Sequence, residues 1–556
     1  MREDRDRPPG ADGSGGDGSG GDLVIVKARI HCHGRRDWLP ALAVRGGRIV
    51  CAGSEAEARG SVAGPVLDLH GACVLPGLVD AHIHFEDLSL GLGRVNVDAP
   101  SLEEALARVK LKAGSTPKGT WILGQGWNAN AWGPSQPKAA MLDALAPDRP
   151  VCLVDKSCHA VWVNSTALAL AGIGPGSPDP AEGRIVRDAG GVATGILLEA
   201  ATHLVTDLVP VPTAAELEAA FKAGALEALR HGLTGVHDFD GPRSFSTQAS
   251  LRAKGALGLR VLKSIPYELL DQALELGLRS GFGDDMLAFG QLKLFADGAM
   301  GPQTAWLLAD YEGRPGYRGM GLTPIADIRR AILRANAAGI ACAVHAIGDR
   351  ANREVLDAYE SVARELGPGR MAALAMPNRI EHAQILDPAD RPRLAGLGLV
   401  ASMQPIHATS EIELTELHLG SRSGGAYGFG SQARLGAVLA FGSDCPVETL
   451  DPIAGIHAAV TRRRRSGEPG PRGWQPDERL GLEEAIQAYS LGPARAAGKA
   501  DRLGSIERGK LADLSILDRD IFELPPDEIL SARPLATVVD GRLVWRSEIE
   551  RPLGSS

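Results

Sequence analysis

Cysteine is scarce in this chain: seven in 556 residues, an odd number, scattered and without paired spacing. That excludes a disulfide framework and fits a reducing compartment, with the cytoplasm as the expectation. Long apolar runs are missing too. No stretch of about 18 apolar residues runs unbroken, so nothing reads as a membrane span, and the N-terminus offers no apolar core of signal-peptide length. An excess of positive charge is also absent. With 59 Lys and Arg against 68 Asp and Glu, net charge -9, there is no electrostatic footprint for nucleic acid. The run Arg462 to Arg465 reads as a solvated helix end. The expected partner is a small molecule, with neither nucleic acid nor membrane involved.

What the chain does have is length and a change of texture along it. Residues 1–21 are charged, then almost wholly Gly, Ser, Ala and Asp from Gly10 onward, and read as a disordered tail. From Asp22 short alternating strands begin, with Gly46-Gly47 as a hairpin signal; the same style returns near the end, where Asp540-Gly541 is another. Residues 22–74 and 505–556 therefore read as two parts of one β-sandwich built from both ends of the chain. Between them, helical and short apolar strand patterns alternate as in βα units with a parallel sheet.

The middle is organised around Val74-Leu-Pro-Gly-Leu-Val-Asp-Ala-His-Ile-His-Phe85. Its apolar run reads as one buried strand that Pro76 and Gly77 interrupt near its start. Successive side chains of a strand point to opposite faces, so His82 and His84 share one face as a chelating pair. A second such pair, His31-Cys32-His33, reads as incidental. Seven further strands are expected at Thr234–Asp238, Leu259–Ser264, Gln291–Ala296, Ala341–His345, Asn378–His382, Gly398–Ser402 and Ala437–Asp444. Eight strands make a (β/α)8 barrel over 75–504, longer than the usual ~250 residues. Most of the excess lies in 86–230, which holds Trp121, Trp127, Trp132 and Trp162, four of the chain's eight tryptophans. An insert after strand one is expected to act as a lid or pocket wall.

Lys293, His345, His382 and Asp444 stand at or near the C-terminal ends of these strands, where barrel enzymes concentrate their function. With His82 and His84 they bring five conventional metal-binding side chains to one mouth. His with carboxylate suits Zn²⁺ or a similar ion, at Zn–N distances of about 2.0 to 2.1 Å. Lys293 is the misfit. Burial among cations favours its neutral amine, and a neutral amine can capture CO2 as a carbamate able to bridge two metals.

These residues resemble the amidohydrolase superfamily, and within it the YtcJ-like branch that includes N-substituted formamide deformylases. The matching motifs are Leu75-Pro-Gly-Leu-Val-Asp-Ala-His-Ile-His84, Lys293-Leu-Phe-Ala-Asp-Gly298, Val344-His-Ala-Ile-Gly-Asp349, Arg379-Ile-Glu-His-Ala383, Gly442-Ser-Asp-Cys-Pro446 and Gly509-Lys-Leu-Ala-Asp513. The resemblance implies that His82, His84 and Asp444 hold one metal, His345 and His382 a second, and carbamylated Lys293 bridges them. It further implies hydrolysis of an amide-type C–N bond by metal-activated hydroxide, with Asp444 as the acid/base. Barrel hydrolases of this kind often form homo-oligomers, though no stretch of the sequence locates an interface.

Other residues carry weaker expectations. Trp127, Trp132, His159, His237 and Trp306 are candidates for substrate contact, with core packing the competing reading for each tryptophan. Asp238 ends strand two beside His237. Asp80 is expected to make buried hydrogen bonds rather than ligate. Glu381 alternates away from His382 and is expected behind the barrel wall. Cys445 should face away from Asp444, and the glycine-rich stretch from Gly424 reads as a mobile loop. The enzymatic alternative is a mononuclear deaminase of a heterocyclic amine; against it, Gly348 stands three after His345, where such enzymes commonly need a glutamate. A dead scaffold barrel would have lost ligands, and none is missing.

Overall fold

A computed structural model describes residues 20–35, 37–127, 132, 136–155, 160–180 and 183–548; His159 and most of the expected N-terminal tail lie outside them. The chain divides into two compact units, residues 1–86 with 224–556, and residues 87–223.

In the first unit eight parallel strands stand in sequence order: Leu78–Ile83, Leu233–Asp238, Arg260–Pro266, Leu287–Phe295, Cys342–Ala346, Arg379–His382, Val400–Met403 and Val438–Phe441. Below they are barrel strands one to eight. The fifth shows why these segments are strands: Ile340 to Val344 are all fully buried, an apolar run enclosed on both faces as parallel sheets require. Helices return the chain between them, among them Ala214–Arg230 and Ile325–Ala337. Ile328, Ala331, Ile332 and Ala335, three or four apart, form the buried stripe of the second. Strands eight and one meet beyond their regular pairing, where Asp444 N–H donates to His82 O at 2.7 Å and His84 N–H to Cys445 O at 2.9 Å. The barrel closes at its C-terminal end.

The run before the His pair is not one strand. Cys73–Pro76 belongs to a five-stranded sheet with Arg29–Ile30, Leu514–Leu517, Pro534–Val539 and Arg542–Arg546, and Leu78–Ile83 belongs to the barrel. Gly77 is the joint. A Cβ there would lie 2.4 Å from Thr234 Oγ1, so only glycine lets the chain pass. A second sheet, of Arg48–Gly53, Ala41–Arg45, Leu23–Val26 and Val66–Asp68, completes the sandwich. Ile25, Leu42 and Val44 pack in one apolar core with Val74, Ile516 and Val538 from the other sheet. The two ends of the chain thus share a core.

The second unit, 87–223, is built on a mixed six-stranded sheet with Ile122–Trp127, Val151–Asp155 and Ala160–Val163 near its centre. Ser101 caps the helix Leu102–Ser115 by accepting from Glu104 N–H. Trp127, Trp132 and Trp162 pack together with ring centroids 6.2–6.5 Å apart.

Two surface expectations are corrected. Tyr427 and Phe429, in the supposed mobile loop, are buried, and Phe429 opens a helix, Phe429–Arg434, against Phe441. Arg462 is fully buried as well. Its guanidinium lies 4.9 Å from the Phe429 ring and 5.2 Å from that of Trp474 and donates to Trp474 O and Tyr427 O. The stacking and the carbonyls replace the water that a solvated helix end would have used.

Candidate metal centre

The nitrogens of four histidines are arranged to one rule. His82 Nδ1 meets Glu381 Oε2 at 2.6 Å, His84 Nδ1 meets Asp240 Oδ1 at 2.9 Å, and His382 Nδ1 meets Gln404 Oε1 at 2.9 Å. His345 uses its other nitrogen, Nε2 meeting Gly298 O at 3.0 Å. An oxygen acceptor fixes the proton on the nitrogen it faces, leaving a lone pair on the opposite nitrogen. Among those remaining nitrogens, the Nε2 atoms of His82 and His84 reach Asp444 Oδ1 at 3.4 and 3.5 Å. The ring centroid of His382 is 5.0 Å from that of His82 and 4.4 Å from that of His345. Ligand atoms of His82, His382 and Asp444 all lie within 4.8 Å of one another. This trio draws on both of the expected ligand sets. The donor set fits a divalent metal of the zinc type.

Electrostatics agree with neutral ligands. Burial holds the pKa of His82 and of His382 well below the usual value, and that of His345 down to about 3, with nearby cations adding to each. His84 differs: burial pulls it down, but the hydrogen bond and charge of Asp240 more than offset this and its pKa rises. Burial raises Asp444. It lowers Lys293 to about 8, which favours the amine that carbamylation needs. The Lys293 surroundings pull the other way, since Nζ lies 4.5 Å from the Phe239 ring centroid and 4.9 Å from that of Phe295, faces that attract a cation.

Glu381 is a correction. It does not lie behind the wall: it is fully buried against His82 and Arg379. Alternation fails because His382 takes φ 70° and Ala383 φ 42°, so the backbone turns left-handed at the strand end and both side chains reach the interior. Arg379, two residues earlier, shares the face of Glu381. Its Nη2 donates to Glu381, Ala81 O at 2.6 Å and Ser402 Oγ at 2.5 Å, and its Nη1 to His237 Nδ1 at 3.0 Å.

His237 therefore does not face the mouth; it is bonded to Arg379 inside the barrel and lines a cavity among the strand starts. Asp238 turns outward to Ser244 and Gln248. Asp80 joins strands one and eight, accepting from His82 N–H, Ser443 N–H and Ser443 Oγ. Burial pushes the Cys445 thiol up, so it supplies no thiolate. Trp127 and Trp132 sit in the core of the second unit, their indole N–H groups given to Leu153 O and Ala99 O. Trp306 is half-buried, with the Arg350 guanidinium 4.4 Å from its ring centroid.

Sequence reasoning missed Asp240, Gln404 and His407. The first two stand just past strand ends, where loop geometry decides direction; a polar residue two beyond Asp238 and one beyond Met403 was the only available signal. His407 Nε2 is buried, lacks a hydrogen-bond partner among the described residues, and lies 3.9 Å from Asp444 Oδ2.

Residues 65–545 match the amidohydrolase family. The chain belongs to that family. It is 33% identical over 500 residues to the putative amidohydrolase YtcJ of Bacillus subtilis, covering 88% of this chain and 92% of that protein. It is 31% identical over 544 residues to N-substituted formamide deformylase from Arthrobacter pascens, covering 94% and 98%. Among solved structures, an uncharacterized metal-dependent hydrolase from Pyrococcus horikoshii superposes with TM-score 0.75 at 27% identity, covering 91% of this amidohydrolase and 99% of that chain.

Proposed function

We propose that this amidohydrolase is a metal-dependent hydrolase of carbon–nitrogen bonds other than peptide bonds, acting on N-substituted formamides or other acylated amines. One observation carries the reading: four histidines each have one nitrogen held by an oxygen and the other left for a Lewis acid, beside Asp444. His82, His84 and Asp444 would hold one zinc ion and His345 and His382 a second, with Lys293, carbamylated by CO2, shared between them. Bound ions of this kind polarise carbonyl oxygens and bring the pKa of water toward neutrality.

The protein's own residues supply the rest. Asp444 carries the proton: its Oδ1 faces His82 and His84, its Oδ2 faces His407. Burial raises its pKa, so the carboxylate can take a proton from the attacking water and return it to the departing amine nitrogen. Glu381, Asp240 and Gln404 keep the imidazoles in one tautomer and orientation. The formamide class is supported by likeness to the Arthrobacter deformylase. The deaminase reading is disfavoured at Gly348, where a Cβ would lie 2.0 Å from Trp306 O, leaving no room for a glutamate. A cytoplasmic location and a small-molecule partner belong to the same proposal.

The test is amine release from a panel of N-substituted formamides and acylated amines, before and after chelation. Release by the zinc-loaded protein, lost on chelation and restored by zinc, is expected. Ammonia from amino-heterocycles with no amine from any amide would contradict the reading.

A further inference from the structure

Barrel strand seven ends at Met403, and the helix Pro405–Ser410 follows almost at once. Two polar side chains of this turn sit beside the metal centre. Gln404 is engaged there, its Oε1 accepting from His382 Nδ1. His407, three residues on, has no such engagement. Its ring lies nearly parallel to that of His382, at 7° with centroids 6.2 Å apart, and the residue is only 7% exposed. Its Nε2 is buried and has no hydrogen-bond partner among the described residues.

Asp444 shows the complementary deficit. It is buried, yet no described residue donates a hydrogen bond to its carboxylate. The groups facing it are His82 Nε2 and His84 Nε2, at 3.4 and 3.5 Å from Oδ1, and His407 Nε2, at 3.9 Å from Oδ2. The main chain fixes where this carboxylate starts from: Asp444 takes φ 58°, uncommon for a residue with a side chain, and its N–H donates to His82 O at 2.7 Å. A buried carboxylate without a donor and a buried imidazole nitrogen without an acceptor are each costly, and one contact between them relieves both. The 3.9 Å gap is about 1 Å longer than a hydrogen bond, a distance that a small side-chain rotation closes.

We propose that His407 is a positioning residue: its Nε2–H donates to Asp444 Oδ2 and holds the carboxylate with Oδ1 turned to His82 and His84. An ionised carboxylate only accepts, so the nitrogen facing it is the one that carries the proton. With about four lone-pair sites, the carboxylate keeps one free on Oδ2 for the proton it transfers. Strand seven lies between strands six and eight, and its turn thereby orients a residue of each neighbour, His382 through Gln404 and Asp444 through His407. This role rests on the metal centre proposed above and is independent of which amide is cleaved.

Zinc affinity of the full-length protein, read by chelator competition in a double-mutant cycle, tests this. His407→Ala is expected to bind zinc about tenfold more weakly than the wild type, while His407→Gln, which keeps an N–H donor at similar reach, stays within about twofold. In an Asp444→Ala background, His407→Ala should bring no further loss, because the oxygen it would have held is gone. If His407→Ala does not fold, His407→Phe, which keeps a ring and lacks the donor, takes its place. Unchanged affinity in His407→Ala, a glutamine variant as weak as the alanine one, or a loss of the same size in the Asp444→Ala background would each overturn the proposal. A wild type that binds no zinc would overturn the metal centre and this role with it. The expected cycle in a protein that releases no amine from any amide would support the role of His407 while removing the proposed substrate class.

Discussion

The chain carries two His-x-His pairs, and the structure gives them opposite fates. His82 and His84 lie on and just past a barrel strand, and both point a nitrogen at the same oxygen, Asp444 Oδ1. His31 and His33 follow the short strand Arg29–Ile30 of the sandwich and diverge, His31 to Asp520 and His33 to Glu483. His33 has nothing left to offer, since its second nitrogen meets Ser490 Oγ and Gly504 O. His31 stacks on Phe522, with centroids 4.1 Å apart. Spacing puts two imidazoles side by side; what the fold does with the second nitrogen separates His33, both of whose nitrogens are engaged, from His82 and His84.

Variants at the two places should separate accordingly. The largest effect is expected at the barrel pair's shared partner. Asp444→Asn should lower turnover by about 10² to 10⁴-fold, the scale of positioned proton transfer, with circular dichroism unchanged. A variant retaining most of its rate would remove Asp444 from the chemistry.

Next comes the support behind His82. Glu381→Gln should weaken metal binding by about 10 to 100-fold in a chelator competition. An unchanged affinity would mean that the Glu381 contact is only structural.

On the sandwich side, His33→Ala should cost about 1–3 kcal/mol in denaturant unfolding, because Glu483, Ser490 and Gly504 lose a shared partner. Metal content should not move; a loss of metal there would blur the contrast.

The smallest effect concerns a histidine in neither pair. His457, on the helix Pro452–Thr461, has its pKa lowered by burial to about 4. The unfolded chain then binds the extra proton between pH 6.5 and 4, so stability falls as pH drops through that window. With a discount for solvent screening, the loss is on the order of 1–2 kcal/mol. His457→Gln should flatten that part of the stability profile, and an unaltered slope would reassign it.

These contrasts also show where the sequence was legible. The eight barrel strands were readable because parallel strands buried on both faces need continuous apolar runs, as Ile340 to Val344 illustrate. His82, His84, Lys293, His345, His382 and Asp444 could be named from motifs. Glu381 was misplaced because strict alternation assumes a regular strand, and His382 leaves it at φ 70°. Asp240 and Gln404 were invisible because they lie past strand ends, where direction depends on loops rather than period. Arg462 was taken for a surface residue because its burial depends on Phe429 and Trp474, distant in sequence and brought beside it only by the fold.

Metal content per chain, measured side by side on the wild type, on His82→Ala with His84→Ala, and on His31→Ala with His33→Ala, tests the central claim most directly. The barrel double variant should lose bound metal while the sandwich double variant keeps the wild-type content. Equal content in all three proteins, or loss confined to the sandwich variant, would contradict the assignment of the metal centre to the barrel mouth.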